Sequence, residues 1–448
     1  MKTFTLLSSV IFSLLIHVVC AQNIVSTYAG DGTNGYADGD TATCKFKSPF
    51  GLCMDPSGNL YLADNDNHRI RKISTDGTVT TFAGTGVAGY LDGPGSTAKF
   101  NAPSDLCADA DGNIYVSDFQ NQYIRKITPD GTVSTIAGSG IAGYLDGASN
   151  VAKFNYPRGI CIDANGNLFI GDSWNHRIRK IDVNGNVTTL AGGGDTIGVQ
   201  SQGNYKDAND TLARFNVPCG MSIDADGNLY VADAYNHRIR KVTPEGVVTT
   251  VAGTGDIGSA AGGFEDGSLD VARFNTPTEV FINAEGKIYV GDTYNNRIRL
   301  IEDGAVTTVA GNGVQDYVDG IDTVASFAHP RGLVDDASHT HIYVNDGFNH
   351  VIRKISLSVA TGIQSLDHFE NVIVYPNPSN GDFTIPFSEI PILITITDIL
   401  GRQVFISSDF DPILPFHLQL TTLESGLYSL SVHYENSKVS NEKLMILH

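Results

Sequence analysis

The stretch NLYLADNDNHRIRKIS, residues 59–74, sets Asp64, His68, Arg69 and Arg71 within eight positions. A carboxylate, an imidazole and two guanidiniums this close could move a proton and stabilise a developing negative charge, as a hydrolase or lyase requires. The same words return from 113, 167, 228, 287 and 341, and their first apolar runs end at Asp118, Asp172, Asp233, Asp292 and Asp346. An enzyme needs one such site, so six copies spaced 54 to 61 residues apart point to architecture.

The elements that carry these residues are strands. Each period holds four short apolar runs, in the first copy FGLCMD, NLYLAD, RIRKI and TVTTFAG, separated by the turn words PSGN, NDNH and STDG. β-branched and aromatic enrichment between Gly, Asn and Asp turns is strand grammar. Runs apolar on both faces fit small sheets sandwiched between neighbours. The TxxAG strand also occurs six times but is offset: STYAG at 26–30 precedes every Asp word, and the last word, ending IRKIS at 356, has no such strand after it. An N-terminal strand that completes the last sheet would remove both open edges. The expectation is an all-β chain: a six-bladed β-propeller of four-stranded blades closed by the N-terminal strand, then a small C-terminal β-sandwich.

The combination YVADxxNHRIRK followed by VTTxAG resembles the NHL repeat, and six copies resemble the six-bladed NHL β-propeller over residues 22–356. That resemblance implies a fold and a binding surface rather than one reaction, since such propellers include protein-binding, RNA-binding and enzymatic members. Blades 2 and 5 depart from it with FQNQYIRK and YNNRIRL, which lack the histidine.

The polar residues divide into three sets. Asp64, Asp118, Asp172, Asp233, Asp292 and Asp346 are followed seven residues later by Arg71, Arg125, Arg179, Arg240, Arg299 and Arg353 on the returning strand, a spacing that predicts a hairpin clasp in which the Asp also accepts amides of the following turn. His68, His176, His237 and His350 share that turn and are read as structural. The residue before the turn Asn is Asp66 and Gln120 in two blades but Trp174, Tyr235, Tyr294 and Phe348 in the others, a half-ring suited to stacking on sugars or peptide side chains, with packing as the plainer use. The loop words GYADG, GYLDG, GYLDG, NYKDA, GFEDG and DYVDG carry Asp38, Asp92, Asp146, Asp207, Asp266 and Asp319. These could form an acidic ring for calcium, which takes several carboxylate and carbonyl oxygens, although no single loop has dense alternating ligands and loop capping is the simpler reading.

Several motifs are set aside. GTGVAG (84–89) and GSGIAG (138–143) match a dinucleotide fingerprint but follow outer strands with no long helix after them. Cys53, Cys107 and Cys161 occupy one repeat position that Ser222, Phe281 and Val334 fill elsewhere, which fits a small buried side chain better than a metal or disulfide framework. No nucleophile elbow or zinc spacing is present. A net charge of -20 argues against nucleic acid or an anionic membrane as partner.

Residues 1–21 read as an export signal, and no later apolar run would cross a bilayer, so the mature chain has no transmembrane segment. A linker at 357–371 leads to the words YPNPSNG, DILGR and LESGLYSL, which resemble the type A C-terminal sorting domain of the bacterial type IX secretion system over 372–448. That resemblance implies recognition by the type IX machinery and passage through the periplasm to the outer surface or medium. The expected function is non-catalytic binding of a protein, peptide or glycan through the loop face. The alternative is a metal-dependent lyase or lactonase-type hydrolase with a divalent ion on the ring axis.

Overall fold

The computed structural model describes residues 22–193, 204–255, 262–336 and 338–357, and in the C-terminal part 382–385, 391–398, 403–407, 416–419, 423, 426–434 and 439–446. The expected export signal, most of the linker and the grown part of the blade 3–4 loop lie outside the described residues.

Six sheets repeat one plan. In blade 1 an inner strand Pro49–Met54, a second strand Leu60–Asp64, a third strand Arg69–Ile73 and an outer strand Thr78–Ala83 form an antiparallel meander. The blades are five-stranded rather than four-stranded. A two-residue strand from the preceding loop, Gly39–Asp40 in blade 1, pairs with Val79 and Thr78 on the far side of the outer strand. Two residues leave no periodic signal, yet they cover an edge that would otherwise present unpaired amides.

In the sixth sheet the outer position is held by Ile24–Ala29, paired from Ile24↔Ser356 to Ala29↔Ile352 against the third strand and with Ile321 and Gly320 on its other side. The second strand of that blade also touches blade 1, where Asn345 Nδ2 donates to the carbonyls of Phe50 (2.7 Å) and Gly51 (2.8 Å). Between successive blades lies one fully buried aromatic each, Phe46, Phe100, Phe154, Phe215, Phe274 and Phe327, taken from the KF, RF or SF words before each inner strand.

The C-terminal part holds a four-stranded antiparallel sheet of Leu393–Asp398, Gln403–Ser407, Gly426–His433 and Val439–Ile446, and a separate pair, Asp382–Ile385 with Phe416–Gln419. Ile394, Ile396, Leu430, Val432, Leu444 and Ile446 form the sheet's apolar core. No helix among the described residues is long and apolar enough to cross a membrane.

Candidate functional site: the channel mouth on the loop face

The repeated polar residues build the scaffold of this face. Asp64 is fully buried: Oδ2 accepts from Arg71 Nη1 (2.8 Å) and Asn67 Nδ2 (2.9 Å), while Oδ1 accepts the Lys47 amide (2.8 Å). The main-chain donor thus comes from the segment entering the inner strand, not from the following turn as the spacing led us to expect, because the turn closes on itself as one turn of 3-10 helix without a side-chain cap. Burial pushes Asp118, Asp292 and Asp346 up to about 6 even beside their arginines, which leaves them ionised at neutral pH.

Each of these arginines has a second carboxylate partner. Arg71 Nη2 meets Asp38 at 2.8 Å, and the equivalent pairs with Asp92, Asp146, Asp207, Asp266 and Asp319 lie at 2.5 to 2.6 Å. The other oxygen is commonly engaged too, as where Asp92 Oδ2 accepts the Thr135 amide at 3.1 Å. Each loop aspartate thus faces a guanidinium that supplies the positive charge a cation would bring. Among the described residues no group of three or more His, Cys, Asp or Glu is arranged to hold a metal.

The turn histidines join one blade to the next. His68 Nδ1 accepts the Ala102 amide of blade 2 (3.0 Å), and His176, His237 and His350 do the same for Val217, Thr276 and Ser48. Where the histidine is missing, Gln122 Oε1 accepts the Tyr156 amide and Asn296 Oδ1 the His329 amide. Any side chain with an acceptor at that reach serves, which explains both departures from the repeat. All six amides precede a proline, and their residues adopt positive φ.

The aromatics do not form one even half-ring. Trp174, Tyr294 and Phe348 are 42%, 51% and 45% exposed. Tyr235 is half-buried and packs on Val217, Cys219 and Ala234. Trp174 contacts Tyr156 (5.9 Å between centroids), which contacts Phe119 (4.9 Å); across the mouth, His329 sits between Tyr294 (4.8 Å) and Phe348 (4.2 Å). Burial and the nearby Arg331 push His329 down to about 4, so its ring is neutral and behaves as another aromatic. Two guanidiniums bridge the groups: Arg158 lies over Phe119 and Phe50 (5.0 and 5.7 Å), and Arg331 over Phe50 and Phe348 (4.4 and 5.4 Å).

The centre of the ring breaks the repeat in a way the sequence reading missed. Each inner-strand segment is entered through Pro, a variable residue and then Gly51, Asp105, Gly159, Gly220, Glu279 or Gly332. The glycines let inner strands touch; a Cβ on Gly159 or Gly332 would overlap the Cys219 or Phe50 carbonyl. Two blades place acids there instead. Asp105 Oδ2 accepts the Ile160 amide (3.0 Å) and Oδ1 its neighbour Leu106 (2.8 Å), while Glu279 Oε1 accepts Val280 (3.1 Å). Burial raises Asp105 to about 7, and burial together with the Asp105 charge raises Glu279 well above the usual carboxylate range, so the pair is protonated in part at neutral pH. Cys53, Cys107 and Cys161 are free thiols raised well above their ordinary value by burial, which keeps them unreactive. The signal for Asp105 and Glu279 was the first position of the words GLCMD, DLCAD, GICID and EVFIN, where an acid replaces the glycine.

Comparison with known proteins agrees with this architecture. Residues 46–73 match the NHL repeat and 200–341 the teneurin NHL domain; 373–447 match the secretion system C-terminal sorting domain. The chain is an NHL-repeat propeller with a type IX sorting tail. Residues 82–255 of the NHL propeller also match the SMP-30/gluconolactonase/LRE-like region. It is 31% identical over 301 residues to the chloroplastic protein SUPPRESSOR OF QUENCHING 1 of Arabidopsis thaliana, covering 63% of this chain and 28% of that protein. It is 30% identical over 319 residues to human NHL repeat-containing protein 2, covering 64% and 43%. The NHL propeller thus spans less than half the length of these relatives. A solved structure described as an auxiliary nutrient binding protein from Bacteroides thetaiotaomicron superposes with a TM-score of 0.56 at 21% identity, covering 75% of this chain and 77% of that one. The sorting domain marks the NHL propeller for export by the type IX system to the cell surface or the medium.

Proposed function

We propose that the propeller is a non-catalytic binding module that holds an extracellular glycan or peptide over the channel mouth of its loop face. One observation carries this reading: the exposed aromatics and two guanidiniums at the mouth differ from blade to blade, while the Asp–Arg clasps and turn side chains that make the blades alike are engaged in structural bonds. Asymmetry is what selectivity needs, and rigid aromatic faces bind at low entropic cost. The nutrient-binding protein that shares the fold is compatible with such a role. In this reading the N-terminal strand closes the ring, the mature chain starts at Gln22, and residues 372–448 form a sandwich read by the secretion apparatus. Trimming Trp174 and Tyr294 to alanine is expected to abolish retention on cell-surface polysaccharide or secreted protein from the native habitat. Unchanged retention by the folded double variant would refute the site.

A second reading, a lyase or lactonase-type hydrolase with an axial divalent ion, is favoured by Asp105 and Glu279 and by the gluconolactonase-like match. Metal analysis of the purified chain separates the two: one equivalent of calcium or zinc that is lost in the Glu279→Gln variant would favour the enzyme.

A further inference from the structure

Two guanidiniums on the loop face stand outside the charge pairing of the repeat. The protein carries -20 overall, and each of the six repeat arginines is matched by two aspartates. Arg158 and Arg331 depart from this. Among the described residues neither has a carboxylate within ion-pair distance, and the Nε of each is buried without a hydrogen-bond partner. Among the described residues the one polar side-chain contact of either head group is from Arg158 Nη1 to the Cys219 sulfur at 4.0 Å. Both guanidinium carbons lie over Phe50, so the two charges are held over one ring at the mouth and feel each other: burial and the Arg158 charge lower Arg331 to about 10. Two half-buried guanidiniums facing one opening are stabilised by an anion that presents oxygens to both.

What flanks them narrows the ligand. Tyr156 and Trp174 stand on one side and Tyr294 and Phe348 on the other, offering ring faces. Main-chain recognition of a peptide would need free backbone groups, but the six amides at the base of this face are already bonded to the turn side chains. Aromatic faces beside guanidinium forks suit the C–H face and the carboxylate of a sugar acid.

We propose that Arg158 and Arg331 hold the acid group of an anionic polysaccharide, a uronate chain, whose neighbouring sugars stack on Trp174 and Tyr294. This rests on the glycan form of the reading above and adds the charge. The test is calorimetric titration of the full chain with a de-esterified oligogalacturonate, its methyl ester, a sulfated oligosaccharide, a neutral oligosaccharide and poly-glutamate. The expected result is binding of the oligogalacturonate, weakened roughly 10- to 100-fold by Arg158→Gln or Arg331→Gln and by esterification. Arg331→Lys should recover only part, because the fork is lost. Binding of the sulfated sugar at equal strength would keep the acid site and widen the source of the anion beyond uronates. Tighter binding of poly-glutamate would overturn the sugar assignment. Binding of the neutral sugar that depends on Trp174 but not on the arginines would overturn this inference and leave the general binding reading intact. Loss of fold in a glutamine variant would show as a changed unfolding midpoint, and the lysine variant then carries the comparison.

Discussion

The blade-to-blade bond made by the turn histidine gives a sharp test at His68. Its Nδ1 accepts the amide of Ala102 at 3.0 Å, and Ala102 is 6% exposed, so water cannot replace a lost acceptor. A buried unsatisfied amide costs about 1–3 kcal/mol. His68→Met removes the acceptor and keeps the reach. His68→Gln restores it in the geometry that Gln122 already uses one blade later, where the Tyr156 amide lies 2.6 Å from Oε1. Both substitutes must adopt the positive φ of this position, as Gln122 does at 61°, so the backbone strain cancels between them. Urea unfolding followed by the single tryptophan, Trp174, should show the Met variant less stable than the Gln variant by about 1–3 kcal/mol. Equal midpoints for the two would refute the bond. Acid should act in the same direction. Burial lowers the pKa of His68 and of His350, so the fold favours the neutral ring. Their contribution is therefore full above the unfolded value of about 6.5 and is lost as pH falls through it toward the folded values.

Two further outcomes follow from the centre and the rim of the ring. Asp105 and Glu279 have raised folded pKa values, so the fold favours their protonated forms; their contribution is intact below the unfolded value and lost as pH rises through about 7. Asp105→Asn or Glu279→Gln should accordingly stabilise the propeller at pH 8 by about 1–4 kcal/mol and change little at pH 5, and a thermal midpoint unaltered at pH 8 would contradict the coupling. At the rim, Asp319 accepts the Thr27 amide (3.0 Å) and pairs with Arg353 (2.6 Å), so Asp319→Asn should speed proteolysis at the N-terminal strand well before the rest of the propeller is cut. Uniform cleavage kinetics across the chain would count against it.

The blade plan was legible because it is written six times, and chance does not repeat an offset between two strand words. The Asp–Arg clasp was legible because both partners lie on one hairpin, seven residues apart. The loop aspartates were read as caps or calcium ligands and not as arginine partners, because the arginine stands 33 or 34 residues further along and nothing local announces the pairing. The histidine turn was read as structural, but its partner belongs to the next blade and could not be named. Arg158 and Arg331 stand at the variable second position of the inner strand and Asp105 and Glu279 replace its third-position glycine, so no repeated word marks them. In a repeated chain the side chains that deviate deserve first inspection, since the shared ones are consumed by packing and pairing.

The seam of the sixth sheet has a consequence for how this molecule leaves the cell. Ile24 lies opposite Ser356, at the point where the ring ends and the route to the sorting tail begins. A polypeptide cut short during synthesis would lack both the strand that receives its beginning and the address that the exporter reads. Truncation before Val351 therefore removes the partner of Ile24–Ala29 and the export address together.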